Sequence, residues 1–522
     1  MKTCISASLN ILLLCGLANA QTTTVVSVSD QGQSANAWSG QPSISADGRF
    51  VAFYSEGTNL VANDFNNSFD VFLRDRQLGL TWRVSVDSNG QEGPDHSHRP
   101  AISADGRVVA FETMNSFDPA DVGYWDIYTH RNRSGETVRV TIGLNGDSPN
   151  GSSYGATISA TGQWVAFSSD ASNLVADDLN SSSDIFVWDR KSREIKRISN
   201  GFSGVEANGD SSQPSISADG RFVAFQSTAT NLVAGDSNAR QDVFVYDCLF
   251  QTTICASLNQ VGLFANGKSV DAKISQNAAC VTFTSSATDL TFETLEGLSQ
   301  VFLHDLNGGG TEMVSLNSRN LPARDSSYMA TPSANGDYVC FTSEAKNLGH
   351  SLYSSISEVY LRNRLTQTIR RANPDGMVFH PEAMIAANGE SVVYVNGEND
   401  SSEILHTASG QLRQTDSIIL SGPWQHDASR PLKLSWTAAP PKEVATIYFS
   451  LNQTGRIFDG LKFDLGAPWT SVAVLATGHE GSGGAYLGRI PYSFVGMPIH
   501  FELVCRTNDS LFNSIPQTIH VY

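Results

Sequence analysis

The chain alternates apolar and polar residues in short runs that are repeated along most of its length. The run "QPSISADGRFVAF" from Gln41 returns unchanged from Gln213, and related runs begin at Arg99 and Gly155. A period of two places successive side chains on opposite faces of a strand. Because no stretch shows a convincing helical period, the pattern predicts an all-β protein.

The runs recur at a nearly constant interval. Each unit contains four predicted strands, for example "PSIS", "RFVAF", "DVFLRD" and "TWRVSV", with a tight "ADG" turn after the first. The small residues before the turns are spaced by 58, 56, 58, 58, 58 and 53 residues, and they are Ser45, Ser103, Ser159, Ser217, Ser275, Ser333 and Ala386. Four-stranded units that bury their faces only against their neighbours predict a β-propeller.

The ends of the array set the number of blades. A segment near the N-terminus, "TTVVSV", matches a fourth strand although no first three strands precede it, so we expect it to complete the last blade. Seven blades are expected, with six as the alternative because the seventh unit is the least faithful. The chain then divides into an export signal (1–20), a propeller (21–414) and a small C-terminal β-sandwich (415–522) whose strand-like runs are broken by Pro, Gly and Asn.

The repeated motif resembles that of the TolB-type, WD-repeat-like propeller family. The likeness lies in "PSISADGRFVAF…DVFVYD", where a Ser-x-Asp-Gly turn joins the first two strands, and it extends over residues 24–414. The resemblance implies the fold and leaves the function open, since such propellers include periplasmic scaffold proteins, peptidase-gating domains and some polysaccharide lyases. TolB itself has a small α/β domain before its propeller, for which this sequence leaves no room, so we do not expect TolB itself. The C-terminal sequence resembles β-modules appended to secreted bacterial proteins.

The N-terminus and the charge bear on location and partners. Lys2, the apolar run "ILLLCGLA" and Ala18-Asn19-Ala20 are typical of a bacterial export signal cleaved after Ala20, which predicts a secreted or periplasmic protein. No later run approaches the roughly 20 apolar residues of a membrane-spanning helix. The net charge of −18 argues against nucleic acid as a partner, and we expect a monomer. Cys248 and Cys255 are close enough in sequence for a disulfide, a question that spacing leaves open.

Acidic loops precede the third strand of three repeats in the pattern Asp-x-Asn-x-x-x-Asp. The residues are Asp64, Asn66 and Asp70, then Asp178, Asn180 and Asp184, then Asp236, Asn238 and Asp242. Asp and Asn oxygens are ligands that calcium prefers, so calcium is the one cofactor that this sequence suggests. The alternative, which we favour, is that these residues cap turns through their own backbone, because the loops lack the Gly and distal Glu of a full calcium loop.

The two ends of a propeller should differ in charge. We call the end with the acidic loops and the blade-to-blade connections the loop face, and the opposite end, with the "ADG" turns, the turn face. The hairpins of the turn face carry basic residues that offset the acids, namely Arg76, Arg131, Arg133, Arg190 and Arg193. The loop face should therefore be the more acidic one.

Candidate catalytic groups are few in this sequence. Asp95, His96 and His98 in "PDHSHRP" could bind a metal or act as an acid and a base, although loop histidines are more often polar surface residues. The "HEGSGG" segment from His479 lacks the strand–turn–helix context of a serine nucleophile.

The sequence predicts a non-catalytic binding or scaffold protein. Its partner would be a protein or a polysaccharide at the cell envelope, engaged through the loop face or the mouth of the central channel. The alternative is a carbohydrate-active enzyme, a lyase or a glycosidase, with its site in the channel. The functional prediction rests on fold-level analogy and on the absence of catalytic motifs from the sequence.

Overall fold

In the computed structural model the chain forms two compact units, Gln21–Ser409 and a second unit of Met1–Ala20 with Gly410–Tyr522. The structure describes residues 22–408 except 116, 118–122, 203, 293–296, 350–356, 374–382, 390 and 399–400. Outside this range it describes only the short strands given below. Within the described residues, the only helical element is a 3-10 turn at Leu144–Gly146, and no helix is long and apolar enough to cross a membrane.

Gln21–Ser409 forms a seven-bladed propeller, which confirms the expected blade count and excludes six. Each blade is a four-stranded antiparallel sheet. The first strands are Ser39–Ile44, Ser97–Ile102, Ser153–Ile158, Ser211–Ile216, Ser269–Ile274, Ser327–Pro332 and Ala383–Ile385. The second strands are Phe50–Ser55, Val108–Thr113, Trp164–Ser169, Phe222–Ser227, Cys280–Ser285, Tyr338–Ser343 and Ser391–Glu398.

The outer half of each blade is built from the third and fourth strands. The third strands are Asp70–Asp75, Asp126–Arg131, Asp184–Asp189, Asp242–Asp247, Gln300–Asp305, Glu358–Asn363 and Ser401–Ala408. The fourth strands of blades 1–6 are Leu80–Arg83, Glu136–Arg139, Ile195–Arg197, Thr252–Cys255, Thr311–Met313 and Thr368–Arg371. The N-terminal strand Thr22–Val25 is the fourth strand of blade 7 and pairs with Ser401–Ala408, as the sequence predicted.

The Ser-Ala-Asp-Gly turn explains why each repeat begins as it does. In blade 1 the buried Ser45 hydroxyl donates to Asp47 Oδ1 at 2.6 Å and accepts the backbone N–H of Phe50 at 2.9 Å. Gly48 follows with a φ of 74°, a conformation that glycine adopts without steric cost. The turn thus fixes the register of the first two strands.

Apolar contacts between neighbouring sheets form the core. The second and third strands of blades 1–6 present aromatic residues in register, such as Phe53 beside Phe72 and Phe225 beside Phe244, with ring centroids 5.9 and 6.0 Å apart. Backbone hydrogen bonds also link successive turns: Ala46 N–H donates to the Ala104 carbonyl and Ala104 N–H to the Ala160 carbonyl, both at 3.0 Å. These contacts position each loop against the next blade.

The first strands of neighbouring blades contact one another and line the central channel. In blades 1–6 each first strand contains a bulge, and the bulge residues have positive φ; they are Gln41, Arg99, Gly155, Gln213, Asp271 and Met329. Five of the six are not glycine, which is uncommon for a left-handed backbone. The bulge directs the backbone N–H of Gly155 to Glu112 of the preceding blade, at 2.6 Å.

The second unit consists of short strands in sheets of two or three. They are Ile11–Leu12, Leu14–Cys15, Ile419–Leu420, Leu432–Thr437, Val444–Phe449, Lys462–Asp464, Trp469–Ala476, Gly483–Pro491, Pro498–Phe501, Arg506–Thr507, Ser510–Leu511 and Gln517–His520. The β-sandwich, the export signal and its cleavage after Ala20 stay predictions. The "HEGSGG" segment lies outside the described residues apart from the start of one strand.

Closure of the ring by the N-terminal strand can be tested with Val26→Asp. Val26 is 1% exposed in the core between blades 7 and 1, and its N–H donates to the Ile404 carbonyl at 2.7 Å. A carboxylate there would be buried without a partner, so we expect a loss of several kcal/mol in the free energy of unfolding. Thr23→Asp, at an exposed position of the strand that Val26 directly follows, is the matched control. Equal unfolding midpoints for the two variants would show that this strand does not close the ring.

Candidate functional site

The acidic loops of blades 1 and 3 fold around a buried arginine. Arg83, at the end of the fourth strand of blade 1, has a side chain 8% exposed. Its Nη1 lies 3.0 Å from Asp70 and 3.5 Å from Asp64, and it also contacts Glu92. Arg83 Nη2 donates to the Asn63 carbonyl at 2.9 Å. The guanidinium therefore occupies the position among these carboxylates that a metal ion would take.

Blade 3 repeats this arrangement. Arg197 Nη1 lies 3.1 Å from Asp178, 3.4 Å from Asp184 and 2.8 Å from Glu206. The third carboxylate of each cluster, Glu92 or Glu206, comes from the connection to the next blade and was missed in the sequence. A constant spacing in the sequence could have revealed it, because each glutamate stands 28 residues after the first aspartate of its loop.

The asparagine of each acidic loop is engaged in a turn. Asn66 Oδ1 accepts the Ser68 N–H at 3.0 Å, and its amide donates to Asp70 at 3.2 Å and to the Gly93 carbonyl at 2.9 Å. The same pattern occurs at Asn180 and Asn238. In each loop the asparagine oxygen that would serve calcium thus caps the local backbone, the geometry of the turn alternative.

Burial shifts the pKa values of the aspartates in these clusters. Burial and the neighbouring Asp70 raise the pKa of Asp64 to about 6, against the opposing effect of Arg83. Burial and Asp184 raise the pKa of Asp178 to about 6 in the same way. These carboxylates are held in a region that disfavours their charge, and the arginine offsets that cost.

Blade 4 keeps the acidic loop and changes its centre. Asp236, Asn238 and Asp242 follow the pattern, but Cys255 stands where blades 1 and 3 have arginine, and Phe264 stands where they have glutamate. Burial raises the pKa of the Cys255 thiol to about 12, so the thiol is neutral at neutral pH. Burial also raises the pKa of Asp242 to about 6. The guanidinium of blades 1 and 3 is thus replaced by an uncharged side chain.

The cysteines of this blade are not joined. Cys248 and Cys255 are both free thiols, which settles the question that their spacing left open. Cys255 pairs across the hairpin with Phe244, whereas Cys248 follows the end of the third strand, so the two are not opposite each other.

The histidines of blade 2 have separate roles. His96 is exposed, and its Nδ1 accepts the Phe69 N–H of blade 1 at 3.1 Å. In blade 4 Asp210 occupies the same position and accepts the Ser183 N–H of blade 3. His98 Nδ1 lies 3.4 Å from the Glu112 carboxylate, and its pKa is lowered to about 4, chiefly by burial. Asp95 is exposed, and the Asn115 side chain holds its backbone. The structure thus brings His98 to a carboxylate of its own blade.

An aromatic cluster, defined as Trp38, Tyr54, Phe69, His98 and Trp125, lies on the loop face of blades 1 and 2, at the inner strands. All five side chains are half-buried. The Trp38 and Tyr54 ring centroids are 5.0 Å apart, those of Tyr54 and His98 6.1 Å, and those of His98 and Trp125 4.2 Å. Trp38 lies directly over Gly40, where a Cβ would come within 2.3 Å of the indole.

The fold does not require these aromatic residues. The positions of Trp38, Tyr54 and Phe69 carry small or polar residues in blades 3, 4 and 5, which form the same sheets. Those residues are Ser152, Ser168 and Ser183, then Asp210, Gln226 and Gln241, then Lys268, Thr284 and Ser299. Sequence reasoning missed the cluster, and this departure from the repeat is the signal that could have found it.

Charged groups border the aromatic cluster on its blade 2 side. Glu112 is 1% exposed, accepts the Gly155 N–H at 2.6 Å and lies 3.5 Å from Arg99. Burial raises the pKa of Glu112 to about 7, opposed by Arg99. The Arg99 side chain, 51% exposed, stands on the channel bulge. The ring faces of the cluster thus lie beside two hydrogen-bonding groups, the Arg99 guanidinium and the Glu112 carboxyl group.

Removing the central arginine of blade 1 should destabilise the protein in a pH-dependent way. We expect Arg83→Ala to cost about 3 kcal/mol at pH 7, because it leaves three neighbouring carboxylates without their cation. The folded pKa of Asp64 lies above its unfolded value, so its ionisation costs stability as pH rises toward and through about 6. The deficit of the variant should therefore shrink at pH 5, as measured by urea unfolding.

The control for this experiment is Arg49→Ala, which removes a half-exposed pair with Asp75 at 2.6 Å. Loss of such a pair costs about 1 kcal/mol or less. Equal losses for the two variants, or a larger deficit of Arg83→Ala at pH 5 than at pH 7, would contradict the assignment.

Calcium binding by the acidic loops stays a prediction, and the loop of blade 4 is the one whose carboxylates have no arginine at the central position. Calcium should raise the unfolding midpoint of the chain if the folded state binds it. We expect Asp236→Asn to remove that shift and Asp64→Asn to leave it in place, because Arg83 already neutralises the blade 1 loop. A midpoint that is the same in EDTA and in calcium would leave all three loops as turns.

No family model and no curated protein matches this chain. Solved structures resemble it in fold. An oligogalacturonate lyase from Vibrio parahaemolyticus is 11% identical, covering 74% of this chain and 96% of its own, with a TM-score of 0.48. The β-propeller domain of the Trilobed protease from Pyrococcus furiosus is 12% identical, with coverages of 74% and 98% and a TM-score of 0.47. TolB from Acinetobacter baumannii is 14% identical, with coverages of 66% and 76% and a TM-score of 0.36. Likeness at this level carries no information about activity.

Proposed function

We propose that this chain is a non-catalytic binding protein of the bacterial cell envelope that engages a polysaccharide through the aromatic cluster of blades 1 and 2. The observation that carries the proposal is that Trp38, Tyr54 and Phe69, all half-buried, stand where blades 3, 4 and 5 have small or polar residues. A location in the envelope rests on the export signal predicted from the N-terminal sequence.

The chemistry of the cluster suits a sugar ring. The face of an indole or phenol ring covers the apolar C–H face of a pyranose, while the hydroxyl groups at the sugar's edge need donors and acceptors. The His98 imidazole is neutral at neutral pH and stacks on Trp125 as a further flat surface. Arg99 supplies donors at the edge of the cluster, on the side of the channel.

A protein partner is the second candidate, favoured by apolar side chains on the loop face. Of 18 large hydrophobic side chains that are exposed, 11 lie in the loops of this face. Leu179, Val261 and Phe292 are 82%, 77% and 91% exposed. Contiguous apolar patches mark interaction sites, whereas single exposed apolar residues are common on any surface, so the protein partner ranks second. The enzyme alternative, a lyase or glycosidase in the channel, has one observation in its favour among the described residues: His98 and Arg99 lie 3.4 and 3.5 Å from the Glu112 carboxylate.

The proposal is tested by electrophoresis of the chain from Gln21 in gels that contain neutral or uronic-acid polysaccharides. We expect at least one polysaccharide to slow the protein, and Trp125→Ala to weaken that interaction by about 2 kcal/mol, roughly 30-fold in Kd. Phe202→Ala, at a loop residue 65% exposed and outside the cluster, is the matched control and should bind as the unmodified chain does.

Two results would contradict the proposal. If no polysaccharide retards the chain, the cluster does not bind glycans, and a protein partner becomes the leading candidate. If retardation persists in Trp125→Ala and in Trp38→Ala, another part of the chain binds the polysaccharide.

A further inference from the structure

The turn face holds a cavity between blades 2 and 3 that is rich in arginine. Its volume is about 540 Å³, and its lining includes Arg107, Arg131, Arg190, Asp105 and Thr161. Three arginines thus line one cavity in a chain whose net charge is −18. Volumes of about 300–1,000 Å³ are typical of small-molecule sites.

Comparison with other blades shows how two of these arginines meet. In blade 1 the residue after the turn, Arg49, pairs with the last residue of the third strand, Asp75, and in blade 4 Arg221 pairs with Asp247; both distances are 2.6 Å. In blade 2 Arg107 keeps the first position, but the second is Arg131. A repeated ion pair has thus been replaced by two like charges.

The opposite wall of the cavity has lost a negative charge. Blade 3 has Thr161 at the turn position that is Asp47, Asp105 and Asp219 in blades 1, 2 and 4. The carboxylate that remains, Asp105, accepts from the Ser103 hydroxyl at 2.8 Å and the Arg107 backbone N–H at 3.0 Å, and it also lies 3.4 Å from Arg107 Nε. The lining therefore carries three positive groups and one negative group.

Arg190 differs from the arginines at the same position of other blades because one of its N–H donors has no partner. Arg76 and Arg364 occupy its position in blades 1 and 6, and each donates Nη1 to the carbonyl of a turn glycine, at 2.7 and 2.9 Å. The Nη1 of Arg190 is buried and has no hydrogen-bond partner. Burial lowers the pKa of Arg190, and the neighbouring Arg131 lowers it further.

Other charged groups around the cavity do not cancel the repulsion among its arginines. Glu136 lies 3.6 Å from both Arg131 and Arg193, so its single charge is shared between two arginines. Arg193 also lies over the Trp188 ring, with its guanidinium carbon 5.5 Å from the centroid. An anion placed among Arg107, Arg131 and Arg190 would offset the repulsion that remains.

We propose that this cavity binds a phosphate dianion, as the monoester group of a small polar molecule or of a lipid headgroup. The planar donors of arginine match phosphate oxygens in geometry and charge. The lining carries three guanidinium groups against one carboxylate, and Arg193 and Glu136 beside it cancel in charge, so an excess of two positive charges remains. A dianion balances that excess and a monocarboxylate does not. The cavity is larger than a bare phosphate, so a bound monoester would leave room for its organic group. This inference is independent of the glycan-binding function.

The test is calorimetric titration of the chain from Gln21 at constant ionic strength. The probes are inorganic phosphate, glucose 6-phosphate and acetate, with vesicles of phosphatidylcholine containing phosphatidic acid as a separate arm. We expect saturable binding of glucose 6-phosphate, weaker binding of phosphate and none of acetate. Binding by the vesicles and not by glucose 6-phosphate would identify the lipid headgroup as the source.

Two variants separate the cavity from general charge effects. Arg131→Asp recreates the arginine–aspartate pair of blades 1 and 4, so it should fold normally, and we expect it to weaken binding about tenfold or more. Arg133→Gln removes one charge from an exposed residue of the same hairpin, outside the lining, and should leave binding unchanged. The proposal is overturned if no phosphate probe binds saturably, if acetate binds as well as phosphate, or if the two variants lose affinity equally.

Discussion

Closure of the ring is the constraint on which the rest of this structure depends. A four-stranded sheet with apolar residues on both faces cannot bury them alone, and each blade is covered only by its two neighbours. The last blade is completed when Thr22–Val25 adds to Ser401–Ala408, which brings Val26 into the core with Val51 of blade 1. Every loop described above is held in place by contacts with a neighbouring blade that this closure keeps together.

The repeat also supplies an internal comparison by which function can be sought. Positions that serve the fold are the same throughout blades 1–6, as in the serine before each turn and the aromatic pairs of the second and third strands. Positions that depart from the repeat are free to serve something else. The aromatic cluster of blades 1 and 2 and the arginine cavity of blades 2 and 3 are two such departures, and they lie on opposite faces of the same blade.

The fold could be predicted from sequence because its signals are local. The period of two, the turn chemistry of Ser45 and Asp47, and the spacing of the repeats all act within one blade, and the unpaired N-terminal strand indicated closure. The sites could not be predicted in the same way, because they join residues far apart in the chain. Arg83 and Glu92 meet Asp64 only when the fourth strand and the next connection pack on the loop, and Trp38 shares a surface with Trp125 only in the folded ring. The nine residues of the acidic loops share one sequence motif, although the side chain at the central position is Arg83 in blade 1 and Cys255 in blade 4.

The N-terminal strand has a consequence for how the chain folds. The hydroxyl of Ser27 accepts a hydrogen bond from the backbone of Ile404, a contact between residues 377 positions apart. Blades 1–6 are each continuous in sequence and can form as soon as their own strands are available. Blade 7 has to wait until both ends of the array exist, and it bears the entropy of closing the longest loop in the ring. Until that moment the exposed edges of blades 1 and 7 are the surfaces through which two unfinished chains could exchange strands.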